Sequence, residues 1–385
     1  MKKVFLLLGL FLLLALFWEV FTPVKCSKAP VTSIQKLEQL LDQIRKKYNI
    51  SAIALSVHLP GGEQLDLASG VIEKGSSRPV TPGNLFQVGS LAKSFTAALI
   101  LQQATAGKLK LDDLVGQYFP KYPRWKNISI RQLLNHTSGI YSYSETPKWF
   151  ENLSKTDEKI WSPSELLDIA YRGNSYFSPG EGWHYSNTNY VILGLIVEKV
   201  TGKSFADEMN KLFSKHHLNQ TYYLPFVYPE KVSEQVVHGY YNEFDMTFQN
   251  LSWLQAAGAL VSNPHDMLSW ANQLHKWMQA QELVSITTGE PTEDFDTTLY
   301  TSGMFRMNSP QGLIWFAPGL TSGYQALWAL LPCSGISYAY AISSGPAGAP
   351  SHREMMEALA PTLFSLKTKF FSAPSYCVSV KAAKE

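Results

Sequence analysis

Apolar and polar positions follow two periods along the chain. Ala52 to His58 alternates as a strand, Pro60-Gly61-Gly62 turns it, and Gln64 to Val71 returns, which predicts a hairpin. Ahead of it, Val31 to Tyr48 carries the spacing of a charged amphipathic helix. After it, a turn at Pro82-Gly83-Asn84 and then Gly89 lead into a long apolar helical run that ends near Gly107. Ser129 is placed to cap a short helix that Gly139 stops, and Ser162-Pro163 begins another. A turn-rich loop, Pro179 to Asn187, runs into an apolar helix, Tyr190 to Val200, ended by Thr201-Gly202. Ala256 to Asn263 reads as a small-residue bend, and Pro264-His265-Asp266 opens a helix to about Met278. Strand patterns return at Gly312 to Phe316, Tyr324 to Leu331 and Ile336 to Ser343, before a closing helix from about His352 to Leu366. Strand pair, helical middle, strand set, helix: this order predicts a sheet with an inserted helical lobe, about residues 101–270.

Composition adds limits. The chain has 385 residues, 45% hydrophobic, with a formal net charge of +2. That is enough for a large core, and the near-neutral balance excludes nucleic acid as the expected partner. No repeat period recurs. The N-terminus is distinct, with Lys2 and Lys3 before an unbroken apolar run from Val4 to Phe17, closed by Trp18-Glu19. This pattern predicts export, with residues 1–29 either a cleaved signal or a membrane anchor. The main domain is then expected over 30–370 and a tail over 371–385. Cys26, Cys333 and Cys377 are the only cysteines. Loss of the first would leave an even pair, but spacing alone does not establish a disulfide, and two separate thiols are the slightly favoured reading.

Candidate chemistry centres on Ser90 and Lys93. Residues three apart share a helix face, so the lysine amine can reach the serine hydroxyl, which needs a base to become a nucleophile. The spacing alone is weak, since Ser33-Ile34-Gln35-Lys36 has it too. Tyr185-Ser186-Asn187 offers a phenol and an amide, but Tyr240-Tyr241-Asn242 matches the same triplet. No Gly-x-Ser-x-Gly elbow, His-Glu-x-x-His or phosphate loop occurs, so no metal or cofactor is expected.

Taken together and in order, Ser90-x-x-Lys93, Leu133-Leu-Asn-His-Thr-Ser-Gly-Ile140, Pro179-Gly180, Tyr185-Ser-Asn187, Leu193-Gly194 and Val200-Thr-Gly202 resemble the penicillin-recognising serine hydrolases. The chain looks most similar to class C β-lactamases, D-Ala-D-Ala carboxypeptidases and their esterase relatives. The resemblance implies a two-lobed α/β (α+β) fold, an antiparallel sheet flanked by helices with an inserted all-helical lobe. It implies Ser90 as the acylated nucleophile, Lys93 as its proton partner, Tyr185 as a base and Asn187 as a substrate-amide contact. The oxyanion would be held by the N–H of Ser90 and a strand N–H at Leu320, next to Gly319. The substrate would be a small molecule or peptidoglycan-like peptide bearing an amide, ester or β-lactam carbonyl.

One motif departs from the family pattern. Where relatives carry Lys-Thr-Gly or His-x-Gly, this chain has Ala317-Pro318-Gly319. Three readings remain open. Another cation substitutes, Arg353 or more weakly His184; the substrate lacks a carboxylate; or the chain is a catalytically silent binding or regulatory module.

Overall fold

A computed structural model describes residues 31–147, 149, 159–280, 290–292, 295–309 and 312–366. The apolar run Val4–Phe17, Cys26, Cys377 and the tail lie outside the described residues. Helix α1 (Val31–Lys47) precedes the hairpin of β1 (Ala52–His58) and β2 (Gln64–Gly70). Then come β3 (Phe86–Gln87), a 3-10 turn over Gly89–Ala92, and α2 (Lys93–Thr105). The helical middle holds α3 (Ile130–Leu134), α4 (Pro163–Arg172), α5 (Asn187–Thr201) and α6 (Phe205–Lys215). Short strands β4 (Tyr222–Tyr223), β5 (Tyr240–Tyr241), β6 (Phe244–Asp245) and β7 (Leu260–Ser262) follow, with α7 (Pro264–Ala280). The chain then returns to the sheet through β8 (Glu290–Thr292), β9 (Phe295–Thr301), β10 (Met304–Ser309), β11 (Gly312–Leu320), β12 (Gln325–Leu331) and β13 (Ile336–Ile342). It closes on α8 (His352–Ser365).

These last strands and the first hairpin form one eight-stranded sheet in the order β2-β1-β13-β12-β11-β10-β9-β8. Its paired strands are antiparallel. α1 and α8 cover one face through Leu37, Leu41, Met355 and Leu359. The helical middle packs on the other face, where α2 is buried nearly all round. A helix apolar on every side is one that a core surrounds.

The hairpin, α1, α7 and α8 match the sequence expectations within a few residues. Ser129 and Ser162 each cap a helix through a reciprocal box with Gln132 and Glu165. Three features differ. Ser90 sits in a 3-10 turn ahead of α2, not at the head of an α-helix. Strands β8 to β10 were not expected, and they extend the sheet beyond β11. The small-residue bend at 256–263 contains strand β7, which pairs with β3 and β4.

Candidate active site

Ser90 is held where the 88–91 turn meets the end of β11. Gly89 has φ +51, and a Cβ there would lie 2.4 Å from the Leu320 carbonyl oxygen. Only glycine serves both demands, a left-handed backbone and a contact too close for a side chain. The following residues wind into α2, which carries Lys93 beneath the serine.

Lys93 is 1% exposed. Its Nζ lies 3.0 Å from Ser90 Oγ, 2.8 Å from Asn187 Oδ1 and 2.8 Å from the Ala257 carbonyl oxygen. Among the described residues no carboxylate pairs with it. Burial alone drives its pKa well below the ordinary lysine value. A neutral amine has two hydrogens and one lone pair. Asn187 Oδ1 and the Ala257 carbonyl can only accept, so they take both hydrogens and leave the lone pair for the Ser90 hydroxyl. Close packing at Gly194 of α5 brings the Ala257 turn within reach, since a Cβ there would meet the Ala256 methyl at 2.5 Å.

Asn187 is engaged on both sides of its amide. Oδ1 accepts from Lys93, and Nδ2 donates to Ser144 Oγ at 2.9 Å. Its backbone N–H, at the start of α5, donates to Ser142 Oγ at 3.2 Å. The residue expected to meet substrate is here a partner of the lysine, and it is not among the residues that line the cavity beside Ser90.

Tyr185 shares a hydrogen bond with the Ser90 side chain, and its ring lies 4.8 Å from Lys93 Nζ. Burial raises its pKa, and the bond to Ser90 opposes this only in part, so the group stays a phenol at neutral pH. Its loop is pinned by His136, a fully buried residue with φ +62. His136 Nδ1 accepts from the Ser186 backbone N–H at 3.2 Å, and its ring stands 4.4 Å from that of Tyr185. The neighbouring His184 is tied to Glu145 at 3.1 Å, with its ring tilted against that of Tyr176 at 3.7 Å between centroids.

Of these groups, Ser90 and Tyr185 open on a cavity of about 200 Å³. The other lining residues include Tyr300 and Phe305 from β9 and β10, Pro318 from β11 and His352 from α8. Gly319 and Leu320 also line it, at the strand end expected to supply a backbone donor. Gly319 presses on the serine turn, for a Cβ there would fall 1.8 Å from the Val88 carbonyl oxygen. Ala317 is buried in the core and brings no cation to the strand.

Arg353, the expected substitute cation, does not line the cavity. Its side chain is 70% exposed and ion-paired to Glu357 at 3.0 Å. His352, one residue earlier, is the helix residue that reaches the cavity, and sequence reasoning missed it. Tyr300 and Phe305 were missed with their strands. No cluster of His, Cys, Asp or Glu able to hold a metal occurs among the described residues, and no helix there is long and apolar enough to cross a membrane.

An antiparallel sheet flanked by helices, with Ser-x-x-Lys and a tyrosine meeting at its edge, defines a β-lactamase-like or penicillin-binding-protein-like class. The chain belongs to the Beta-lactamase family, whose model matches residues 37–360. It is 34% identical over 209 residues to Penicillin-binding protein 4* of Bacillus subtilis (strain 168), covering 53% of this chain and 45% of the relative. To Penicillin-binding protein 4 of Amycolatopsis lactamdurans it is 31% identical over 194 residues, 49% of each. The chain spans about half the length of these curated relatives. The D-amino acid amidase from Ochrobactrum anthropi SV3, complexed with L-phenylalanine amide, superposes with TM-score 0.75 at 23% identity over 92% of this chain and 100% of its own, a likeness of fold.

Proposed function

We propose that this protein is a β-lactamase-related serine hydrolase that forms an acyl-enzyme on Ser90 from an amide, ester or β-lactam carbonyl and then hydrolyses it. The observation that carries the reading is the buried Lys93 amine, 3.0 Å from Ser90 Oγ, with its two hydrogens matched by pure acceptors. As Oγ bonds to the carbonyl carbon, Lys93 takes the serine proton. The leaving group, as its bond to that carbon breaks, takes a proton from the Tyr185 phenol, which the Lys93 ammonium then restores. The Ser90 and Leu320 backbone N–H groups are the proposed oxyanion donors, each worth ~2.7–4 kcal/mol in such sites. Water then attacks the acyl-enzyme through the same groups, and the serine is released.

The names of the relatives, penicillin-binding proteins and a D-amino acid amidase, support a penicillin and a D-amino acid amide as the first compounds to try. A location outside the cytoplasm fits the N-terminal apolar run, by signal or by anchor. It also fits Cys333, which is disulfide-bonded, contrary to the expectation of two separate thiols; both possible partner cysteines lie outside the described residues. The uncharged strand at Ala317 favours a second reading, a silent module.

Incubation with a fluorescent penicillin and with an activated ester, read by intact mass, separates them. A covalent adduct lost in Ser90→Ala supports the enzyme. No adduct and no turnover from folded protein would favour the silent module instead.

A further inference from the structure

Asn187 holds Lys93 from one side, and a pair of serines holds Asn187. Its Nδ2 donates to Ser144 Oγ at 2.9 Å and its backbone N–H to Ser142 Oγ at 3.2 Å. The two hydroxyls lie 2.9 Å apart at the start of a 3-10 turn over Tyr143–Glu145. That turn is fastened to its surroundings. The Tyr143 N–H donates to Thr188 Oγ1 at 3.2 Å, its hydroxyl donates to the Trp253 carbonyl oxygen at 2.6 Å, and the Ser142 N–H donates to the Tyr176 hydroxyl at 3.1 Å. Ser142 is 1% exposed and already accepts from Asn187, so among the described residues its own hydrogen meets Ser144 Oγ. Ser144 Oγ then accepts from two sides, and the nitrogen edge of the Asn187 amide faces it. The oxygen edge is left for Lys93, 2.8 Å away. Turned over, the amide would aim an N–H at the amine's lone pair, the same lone pair that Ser90 needs.

We propose that Ser144, backed by Ser142, is a positioning residue that keeps the Asn187 amide oxygen on Lys93, so that the amine's lone pair stays on Ser90. The assignment rests on the hydrolase reading above and adds a support to its base. Ser142, Ser144 and Asn187 are all absent from the cavity lining, so the pair acts through the lysine and not on substrate. The other groups facing the amine carry no charge that could do this work. The rings of Tyr185 and Tyr190 stand 4.8 Å and 5.6 Å from Nζ, and burial keeps His136 neutral. Glu145, next to Ser144 in sequence, is taken up by the Tyr176 hydroxyl at 2.6 Å and by His184 at 3.1 Å.

The test uses the full chain and an activated ester, with Ser90 acylation read by intact mass and kcat/KM followed across pH. No acylation of the parent protein overturns the hydrolase reading itself. Given acylation, Ser144→Ala removes the oxygen that holds the amide nitrogen, and the amide turns over in a fraction of the molecules. The plateau of kcat/KM is expected to fall about tenfold, the scale of one hydrogen bond. An N–H on the lone pair favours the uncharged amine, so the acid limb of the profile should move to lower pH. A merely loosened site would do the opposite, because water reaching the ammonium raises its pKa and moves the limb up. Ser144→Thr, which keeps a hydroxyl, should restore most of the rate and the parent limb. Ser142→Ala should give a smaller shift of the same sign as Ser144→Ala, with thermal unfolding showing each variant folded. An acid limb that stays in place or moves up in Ser144→Ala and Ser142→Ala overturns the proposal, whatever happens to the rate.

Discussion

Gly319 lies against Val88 so closely that a single methyl on it would stand 1.8 Å from the Val88 carbonyl oxygen. The neighbouring atoms are backbone and cannot swing aside. Gly319→Ala must therefore push β11 and the serine turn apart, separating the Ser90 and Leu320 N–H groups. Acylation is expected to fall ~100-fold or more, on the scale of losing an oxyanion donor. Thermal unfolding should show the fold retained at a lower Tm. Retention of full acylation in this variant would mean that the strand end has no part in holding the oxyanion.

Lys93 couples activity to stability in opposite senses. Burial keeps its folded-state pKa well below the ordinary value, so over the interval between the two the unfolded chain binds more protons. Stability then rises with pH across that window, because proton uptake favours unfolding. Lys93→Met removes the buried amine at similar length. It should abolish acylation and raise Tm by ~2 °C or more near neutral pH. In the parent protein kcat/KM should fall on the acid side as the amine takes a proton. Calorimetry and a pH–rate profile check the two signs; a destabilised Lys93→Met would contradict this account.

Arg353→Ala is expected to leave kcat/KM for an activated ester unchanged and to shift stability by no more than ~0.5 kcal/mol. Its guanidinium is solvent-facing and its partner Glu357 is one turn away, an arrangement of small worth. A large loss of acylation would mean that the helix rotates or that the arginine folds over the cavity when substrate binds.

The contrast between Arg353 and His352 shows where sequence reading stops. Consecutive helix residues point about 100° apart. Which of the two faces the cavity depends on how α8 lies across the sheet, and that is set by contacts such as Met355 and Leu359 with distant strands. Ser90 and Lys93 were legible because their spacing is local and the helix itself brings them together. Tyr185 and Asn187 were legible only through the order of the other motifs. Asn187's second partner, Ser144, lies 43 positions away and left no local signal. Strands β9 and β10 went unread because their polar Thr297, Thr298 and Asn308 dilute the apolar alternation. What fixes these strands is pairing, through Phe305 with Tyr300 and Phe316. The turn that joins them packs at Gly303 on the start of α2, where a Cβ would lie 2.5 Å from the Lys93 backbone.

Tyr185 is expected to act as a phenol that passes protons, not as a standing phenolate. Burial raises its pKa, and no cation offsets this as a basic residue at position 317 would. Tyr185→Phe keeps the ring against His136 and Tyr300 while removing the hydroxyl next to Ser90. Acylation by an activated ester, whose leaving group needs no proton, should fall far less than hydrolysis of an amide, which should drop by ~10²–10⁴-fold. In the parent protein the amide rate should show no rise from tyrosine ionisation as the pH approaches 10. Equal losses on the two substrates would instead place Tyr185 at the first proton transfer, in competition with Lys93. That outcome would require the amine and the phenol to exchange the roles their surroundings give them.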